Sequence, residues 1–213
     1  MRMVIPEPAF TRVVKPLLFV ACLIPLLWLG WGVWQDTLGA NPIEKLTRSL
    51  GEWGLRFLLL TLCVSTLRRA TGWTQVMRLR RMLGLFAFFY ATLHLFSYLW
   101  LDQFFDWAEI WRDILKRPFI TVGMLAFLLM TPLAATSFKA AMRKLGRQWQ
   151  RLHQLIYPLT TLAVLHFWWL ADSKARTAMP LVYSIVLGFL LGERLWCFMR
   201  RKIAASKSRL SCK

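Results

Sequence analysis

Acidic residues are scarce in this sequence, and none form a pair deep inside an apolar run. The 213 residues contain 10 Asp plus Glu against 28 Lys plus Arg, for a formal net charge of +18. Without paired carboxylates in the apolar runs, proton pumping and acid–base hydrolysis are poor candidates. We also find no glycine-rich phosphate-binding loop and no Ser/His/Asp arrangement, so the common nucleotide-binding and hydrolytic motifs are missing.

Cysteine is also scarce, and its spacing argues against two kinds of site. The four cysteines are far apart and form no CxxC pair, so neither a zinc site nor a disulfide framework is indicated. They are Cys22, Cys63, Cys197 and Cys212.

Apolar residues are abundant instead. They make up 57% of the chain, and the mean hydropathy is +0.46, which exceeds what the core of a soluble domain of this size requires. The basic residues occur in short clusters between apolar runs rather than along one polar face. We therefore expect a lipid bilayer as the environment and no nucleic acid as a partner.

Six apolar runs are each long enough, or nearly so, to cross a membrane. Because the backbone must satisfy its own hydrogen bonds in hydrocarbon, we predict an all-α bundle of six transmembrane helices in one domain, residues 1–213. No strand pattern or internal repeat is visible. The first run is too long for a cleaved signal sequence, so we expect it to be retained. The predicted spans are at about 16–34, 53–67, 82–101, 119–137, 153–171 and 180–199.

Lys and Arg are concentrated in alternate connecting segments, among them 68–81 and 139–151. The positive-inside rule then places these two segments and both termini in the cytoplasm. Two outward segments, beginning at Asn41 and Trp107, have the apolar spacing of short amphipathic helices on the outer surface. They either anchor the bundle or form a docking platform for an external partner. Gly188 and Gly192 form a GxxxG, a weak indication of close helix contact.

Two of the three histidines lie at nearly equal depth. His94 is twelve residues along the third run and His166 thirteen along the fifth, and both runs rise from the cytoplasmic side. At about 1.5 Å per residue both lie roughly 18–20 Å along the span, in the outer half of the bilayer. Two neutral imidazoles at one level can hold a haem iron from opposite sides. The alternative is that each makes a separate interhelical hydrogen bond.

His153 opens the fifth run at its cytoplasmic edge, where it either ligates a second, inner haem or anchors the helix. It shares a seam with His166 only if the helix is distorted, and Pro158 lies between them. The matching positions on the third run are Arg80 and Arg81, which are poor iron ligands but suit a haem propionate or a flavin phosphate. Their alternative role is to set the membrane orientation.

Arg56 is a basic residue inside the second run, near its outer end. One interpretation is that its side chain extends to the membrane surface. The other is that it pairs with the propionates of a haem held by His94 and His166, which would emerge at this level.

Several short runs of residues, spread over nearly the whole chain, together resemble a known family. They are Leu38-Gly39-Ala40-Asn41-Pro42, Arg80-Arg81-Met82-Leu83-Gly84-Leu85, Ala91-Thr92-Leu93-His94, 145–153 (LGRQWQRLH) and Leu165-His166. These runs resemble the MsrQ family, formerly YedZ, which comprises haem-binding membrane subunits of a bacterial periplasmic protein-methionine-sulfoxide reductase system. A more distant resemblance is to the ferric-reductase-like membrane domain, in which two histidines on each of two helices hold two haems. This sequence has Arg80 where the fourth histidine would stand.

The resemblance implies a multi-pass protein of the bacterial inner membrane that binds haem b through His94 and His166. It implies that electrons come from membrane quinol, with FMN and a cytoplasmic flavin reductase as further components, and leave to a periplasmic molybdenum-cofactor methionine sulfoxide reductase. His153 and the nearby arginines would then serve an inner cofactor or quinone site. The alternatives are a histidine-lined transporter and a self-contained metal reductase, although the chain has no nucleotide-binding domain to supply hydride.

Overall fold

The computed structural model describes residues 10–172 and 177–211, and this part of the chain is helical without a β-strand. A π-helical turn at Phe10–Val14 leads into α1, another at Tyr98–Asp102 extends α3, and a 3-10 turn at His153–Leu155 precedes α8. The helices are α1 (Lys15–Trp34), α2 (Pro42–Thr71), α3 (Met77–Ser97), α4 (Trp107–Lys116), α5 (Pro118–Ala135), α6 (Lys139–Leu145), α7 (Arg147–Leu152), α8 (Ile156–Asp172) and α9 (Ala178–Ser211).

Five helices in the described ranges are long and apolar enough to cross a membrane, which agrees with a multi-pass protein. These candidate spans are Arg12–Trp34, Pro42–Thr71, Met77–Asp102, Pro118–Ala135 and Ala178–Arg200. The remaining predicted span corresponds to α8, which has 17 residues and a length of about 26 Å. Six spans and cytoplasmic termini therefore stay predictions.

The second span differs from its prediction, because the segment after Asn41 does not form a separate surface helix. It is the first part of α2, which continues without a break for 30 residues. The Asn41 side chain caps α2 by accepting a hydrogen bond from the Glu44 N–H at 3.3 Å. Arg48 and Arg56 both pair with Glu52, one turn away on either side, so these charged residues are accommodated within one helix.

The second amphipathic segment is confirmed as a separate helix, α4. Asp106 caps it by accepting hydrogen bonds from two backbone N–H groups at 3.0 and 3.1 Å. Ile110 is buried against the bundle, whereas Trp107 and Trp111 are 67% and 64% exposed. The apolar face of α4 is therefore only partly buried against the rest of the chain.

Two helical hairpins, α2–α3 and α5–α8, form the centre of the bundle, and α9 packs against α8 and α2. The fully buried Tyr90 of α3 makes two hydrogen bonds to one turn of α1. Its hydroxyl donates to the Cys22 carbonyl at 2.8 Å and accepts from the Leu26 N–H at 3.1 Å. The GxxxG indication is wrong for the described chain, since a Cβ at Gly188 or Gly192 would meet nothing within 4 Å.

Candidate functional site

His94 lies in the last turn of α3, and its imidazole bonds to the neighbouring helix α2. Its Nδ1 is 2.8 Å from the carbonyl oxygen of Thr47. A carbonyl oxygen can only accept, so Nδ1 must carry the proton and donate it. The lone pair then lies on Nε2, on the other side of the ring, where a neutral imidazole binds metals.

His166 on α8 repeats this arrangement with α5. Its Nδ1 is 2.6 Å from the carbonyl oxygen of Phe119 and donates to it by the same argument. Each histidine is therefore fixed in one tautomer and one orientation by a backbone carbonyl, which is how histidine ligands are usually held.

A glycine lies one helical turn after each of these carbonyl groups, and each imidazole rests directly on it. A Cβ at Gly51 would lie 3.1 Å from Nδ1 and Cε1 of His94. A Cβ at Gly123 would lie 2.8 and 2.9 Å from the same two atoms of His166. The two helices can approach the rings this closely only because these positions have no side chain.

The two halves of the site repeat one another along the chain at a constant separation of 72 residues. This separation relates His94 to His166, Thr47 to Phe119 and Gly51 to Gly123. It also relates residues with small side chains that line the space between the hairpins: Gly54 matches Ala126, and Ala91 matches Ala163. The structure thus contains an internal repeat that the sequence did not make visible.

A cavity of about 550 Å³ lies between the two hairpins, and both histidines line it. This volume falls within the roughly 300–1,000 Å³ of pockets that enclose a small-molecule ligand. Much of its lining is apolar, and Leu58, Met130 and Leu159 belong to this part. Polar and charged residues line the end nearest the start of α2; they include Asn41, Glu44, Arg48, Glu52, Asp102 and Arg117.

The separation of the two imidazoles fits one iron atom between them. Their ring centroids are 6.2 Å apart. Two metal–nitrogen bonds of about 2 Å each, together with the two ring radii, give about 6 Å. No group of three or more His, Cys, Asp or Glu in the described ranges could hold a metal ion. A pair of histidines therefore suits a metal that brings its own equatorial ligands, as haem does.

Arg56 lies in the middle of the 30-residue helix α2 rather than near the end of its span as predicted, and it is not among the residues that line the cavity. Its Nη2 is 3.0 Å from a carboxylate oxygen of Glu52, and its Nε donates to the Tyr183 hydroxyl at 2.9 Å. The arginines that do line the cavity are Arg48, 3.5 Å from Glu52, and Arg117. Neither Arg48 nor Arg117 was predicted from the sequence to belong to the site.

His153 lies away from the cavity, at the start of the 3-10 turn before α8. Its Nδ1 is 3.1 Å from the carbonyl oxygen of Trp149, and its ring stacks on that indole at 3.9 Å. The 3-10 turn is a distortion of the kind predicted between His153 and His166, although it precedes Pro158.

The two predicted inner arginines are separated by the structure. Arg80 is half-buried and interacts electrostatically with His153, Tyr157 and Arg194. Arg194 itself donates to the Tyr157 hydroxyl and to the Leu62 carbonyl, both at 2.8 Å. Arg81, in contrast, is exposed. Arg80 therefore lies on the interior side of α3, and Arg81 lies on its exposed side.

The chain is similar to known membrane proteins. A family model described as "Ferric reductase like transmembrane component" matches residues 50–164, which include His94 and His153 and end two residues before His166. Several curated relatives carry the name "Protein-methionine-sulfoxide reductase heme-binding subunit MsrQ". The relative from Azospira oryzae is 54% identical over 89% of this chain and 82% of its own length. That from Rhodospirillum rubrum is 54% identical over 86% and 88%. That from Xanthomonas oryzae pv. oryzae is 49% identical over 92% and 90%.

Proposed function

This chain belongs to the MsrQ family of ferric-reductase-like transmembrane proteins, and we propose that it is the haem-binding membrane subunit of a protein-methionine-sulfoxide reductase system. The observation that carries the proposal is the pair His94 and His166, whose rings are 6.2 Å apart across the cavity. When bound there, haem b supplies a one-electron carrier inside the membrane.

The residues around the cavity prepare both histidines as ligands. The carbonyls of Thr47 and Phe119 keep Nδ1 protonated, so Nε2 is the ligand atom without any rearrangement. The apolar walls exclude water and favour a planar apolar group. Arg48 and Arg117 at the charged end would pair with propionates, while Arg56 holds Glu52 beside Arg48.

We propose that the chain lies in the bacterial inner membrane with both termini in the cytoplasm. Electrons would enter from membrane quinol near the basic end, where Arg80, Arg81 and His153 lie. FMN with a cytoplasmic flavin reductase is the alternative entry. Electrons would leave from the outer histidine pair to a periplasmic molybdenum-cofactor methionine sulfoxide reductase. A quinol gives up two electrons and two protons, which balances reduction of one sulfoxide to a thioether and water.

The test uses the purified full-length chain in liposomes. We expect Soret and α bands in the reduced-minus-oxidised spectrum, reduction of the haem by a short-chain quinol, and reoxidation when the oxidised periplasmic reductase is added. The absence of haem bands would refute the cofactor. Haem bands without reoxidation by the reductase would retain the cofactor and refute the partner.

The family model favours a second candidate, a transmembrane metal reductase, because its description names ferric reductases. The two candidates differ in their electron acceptor. Prompt reoxidation of the reduced chain by a ferric chelate, with none by the periplasmic reductase, would support the metal reductase.

A further inference from the structure

A groove of about 530 Å³ lies between α1 and α3, separate from the cavity of the histidines. Its cations are gathered at one end of the bundle, where α1 and α3 both begin. The nine lining residues include no acidic one. They are the cations Lys15, Arg78 and Arg81 and the apolar residues Phe19, Leu23, Met82, Leu85, Phe86 and Phe89.

The apolar part of the groove extends along the helices away from the cations and faces the bundle's exterior. Phe19 and Phe86 meet edge to face at 5.2 Å, which joins the two walls. Leu85 and Phe89 are 39% and 38% exposed, and Leu17 on the neighbouring face of α1 is 64% exposed. In a membrane-spanning bundle, exposed apolar side chains of this kind contact acyl chains. The groove is therefore open to the hydrocarbon along its length and positively charged at one end.

We propose that this groove is a binding site for one anionic phospholipid. Its phosphate lies among Lys15, Arg78 and Arg81, and one acyl chain lies against Phe86 and Phe89. Basic pockets between transmembrane helices are suited to anionic headgroups, and the charge-assisted hydrogen bonds of arginine favour a phosphate. On the orientation predicted from charge, the lipid belongs to the cytoplasmic leaflet.

Two other amphiphiles fit the groove less well. A quinone carries neutral carbonyl groups, which gain little from three cations. A flavin ring has a polar edge that needs uncharged hydrogen-bonding partners, and the six apolar side chains offer none. The separation of Arg80 from Arg81 also means that the groove holds only one of the two arginines, and the proposal does not depend on whether the chain binds haem.

The test is native mass spectrometry of the full-length protein in detergent, titrated with phosphatidylglycerol and, separately, phosphatidylcholine. We expect one phosphatidylglycerol to bind tightly. The triple variant Lys15→Gln, Arg78→Gln, Arg81→Gln should weaken it by about 100-fold. A matched control, Lys139→Gln, Arg143→Gln, Lys144→Gln, removes three exposed cations from α6 on the same predicted side. It should change the affinity less than 3-fold. Equal losses in both triple variants, or equal binding of phosphatidylcholine, would overturn the proposal.

A single variant tests the acyl part without touching the charges. Leu85→Trp fills the groove beside Phe86 and should weaken phosphatidylglycerol binding about 10-fold, with an unchanged elution volume and helix content as the check on folding. Unchanged lipid affinity would show that the acyl chain does not lie in the groove and would overturn this part of the proposal. Detection of FMN bound to the wild-type protein and lost from the Arg78→Gln, Arg81→Gln variant would assign the groove to flavin and overturn the lipid assignment.

Discussion

The predicted outer position, formed by His94 and His166, differs in construction from the predicted inner position at His153. In the sequence, His153 and His166 lie on the same predicted span. At the outer level, each ring donates to a carbonyl of a neighbouring helix, rests on a glycine and faces a cavity. At the predicted inner level, the His153 ring contacts the Trp149 carbonyl of its own segment and the backbone of Leu133 on α5, and it stacks on Trp149. The residue 72 positions earlier is Arg81, which is exposed. The two positions therefore differ in that no described glycine lies against the His153 ring and an arginine stands where the second histidine would be.

The largest expected effect is the loss of haem when either outer ligand is removed. His94→Ala and His166→Ala should each reduce haem per chain to background, because one imidazole does not hold a low-spin haem against detergent. His153→Ala should keep the haem content and the band positions. The measurement is the pyridine haemochromogen assay on purified protein. A halved haem content in His153→Ala would show that the inner position also carries a haem.

A second histidine placed beside His153 should allow the inner position to bind haem. Arg80 is half-buried beside His153, so Arg80→His places a second imidazole on the interior side. We expect additional haem in part of the molecules, measured as haem per chain. Arg81→His is the matched control, since position 81 is exposed and should add none. Additional haem in Arg81→His alone would contradict the assignment of the two sides of α3.

The glycines under the outer rings should be sensitive to one added methyl group. Gly123→Ala places a Cβ 2.8 Å from His166 and should weaken haem retention by about 10-fold, since overpacking costs roughly 1–3 kcal/mol. Gly51→Ala, at 3.1 Å from His94, should have a smaller effect. The control is Gly188→Ala, which meets nothing within 4 Å. Haem loss measured by transfer to apomyoglobin should follow this order, and equal rates in all three variants would refute the role of the glycines.

The smallest effect concerns the charged end of the cavity. Arg48 lines the cavity and Arg56 does not, so Arg48→Gln should raise the rate of haem loss about 5-fold and Arg56→Gln less than 2-fold. The same apomyoglobin assay measures both. A larger effect of Arg56→Gln would indicate that Arg56 contacts a propionate directly.

The helical architecture and the outer histidine pair could be predicted from the sequence. Apolar runs report membrane helices directly, and a fixed rise per residue made the equal depth of His94 and His166 calculable. The continuous helix α2 was missed because its charged residues interrupt the apolar run. Arg48 and Arg56 nevertheless both pair with Glu52 at one-turn spacing, which the apolar pattern does not reveal.

The supporting residues of the site could not be predicted in this way. A carbonyl acceptor such as that of Thr47 depends on how the helices pack, so the residue type gives no signal. Gly51 and Gly123 are used for close approach, whereas Gly188 and Gly192 are not, although the latter form the better-known motif. The repeat is hidden because Thr47 corresponds to Phe119, so residue identity is lost while the role of the backbone carbonyl is kept.

Low-temperature electron paramagnetic resonance of the oxidised, purified protein tests most directly whether one haem is held between His94 and His166. We predict a low-spin ferric signal typical of two imidazole ligands in the wild type and in His153→Ala, and its loss in His166→Ala. A high-spin signal in the wild type, or a low-spin signal that persists in His166→Ala, would contradict the account.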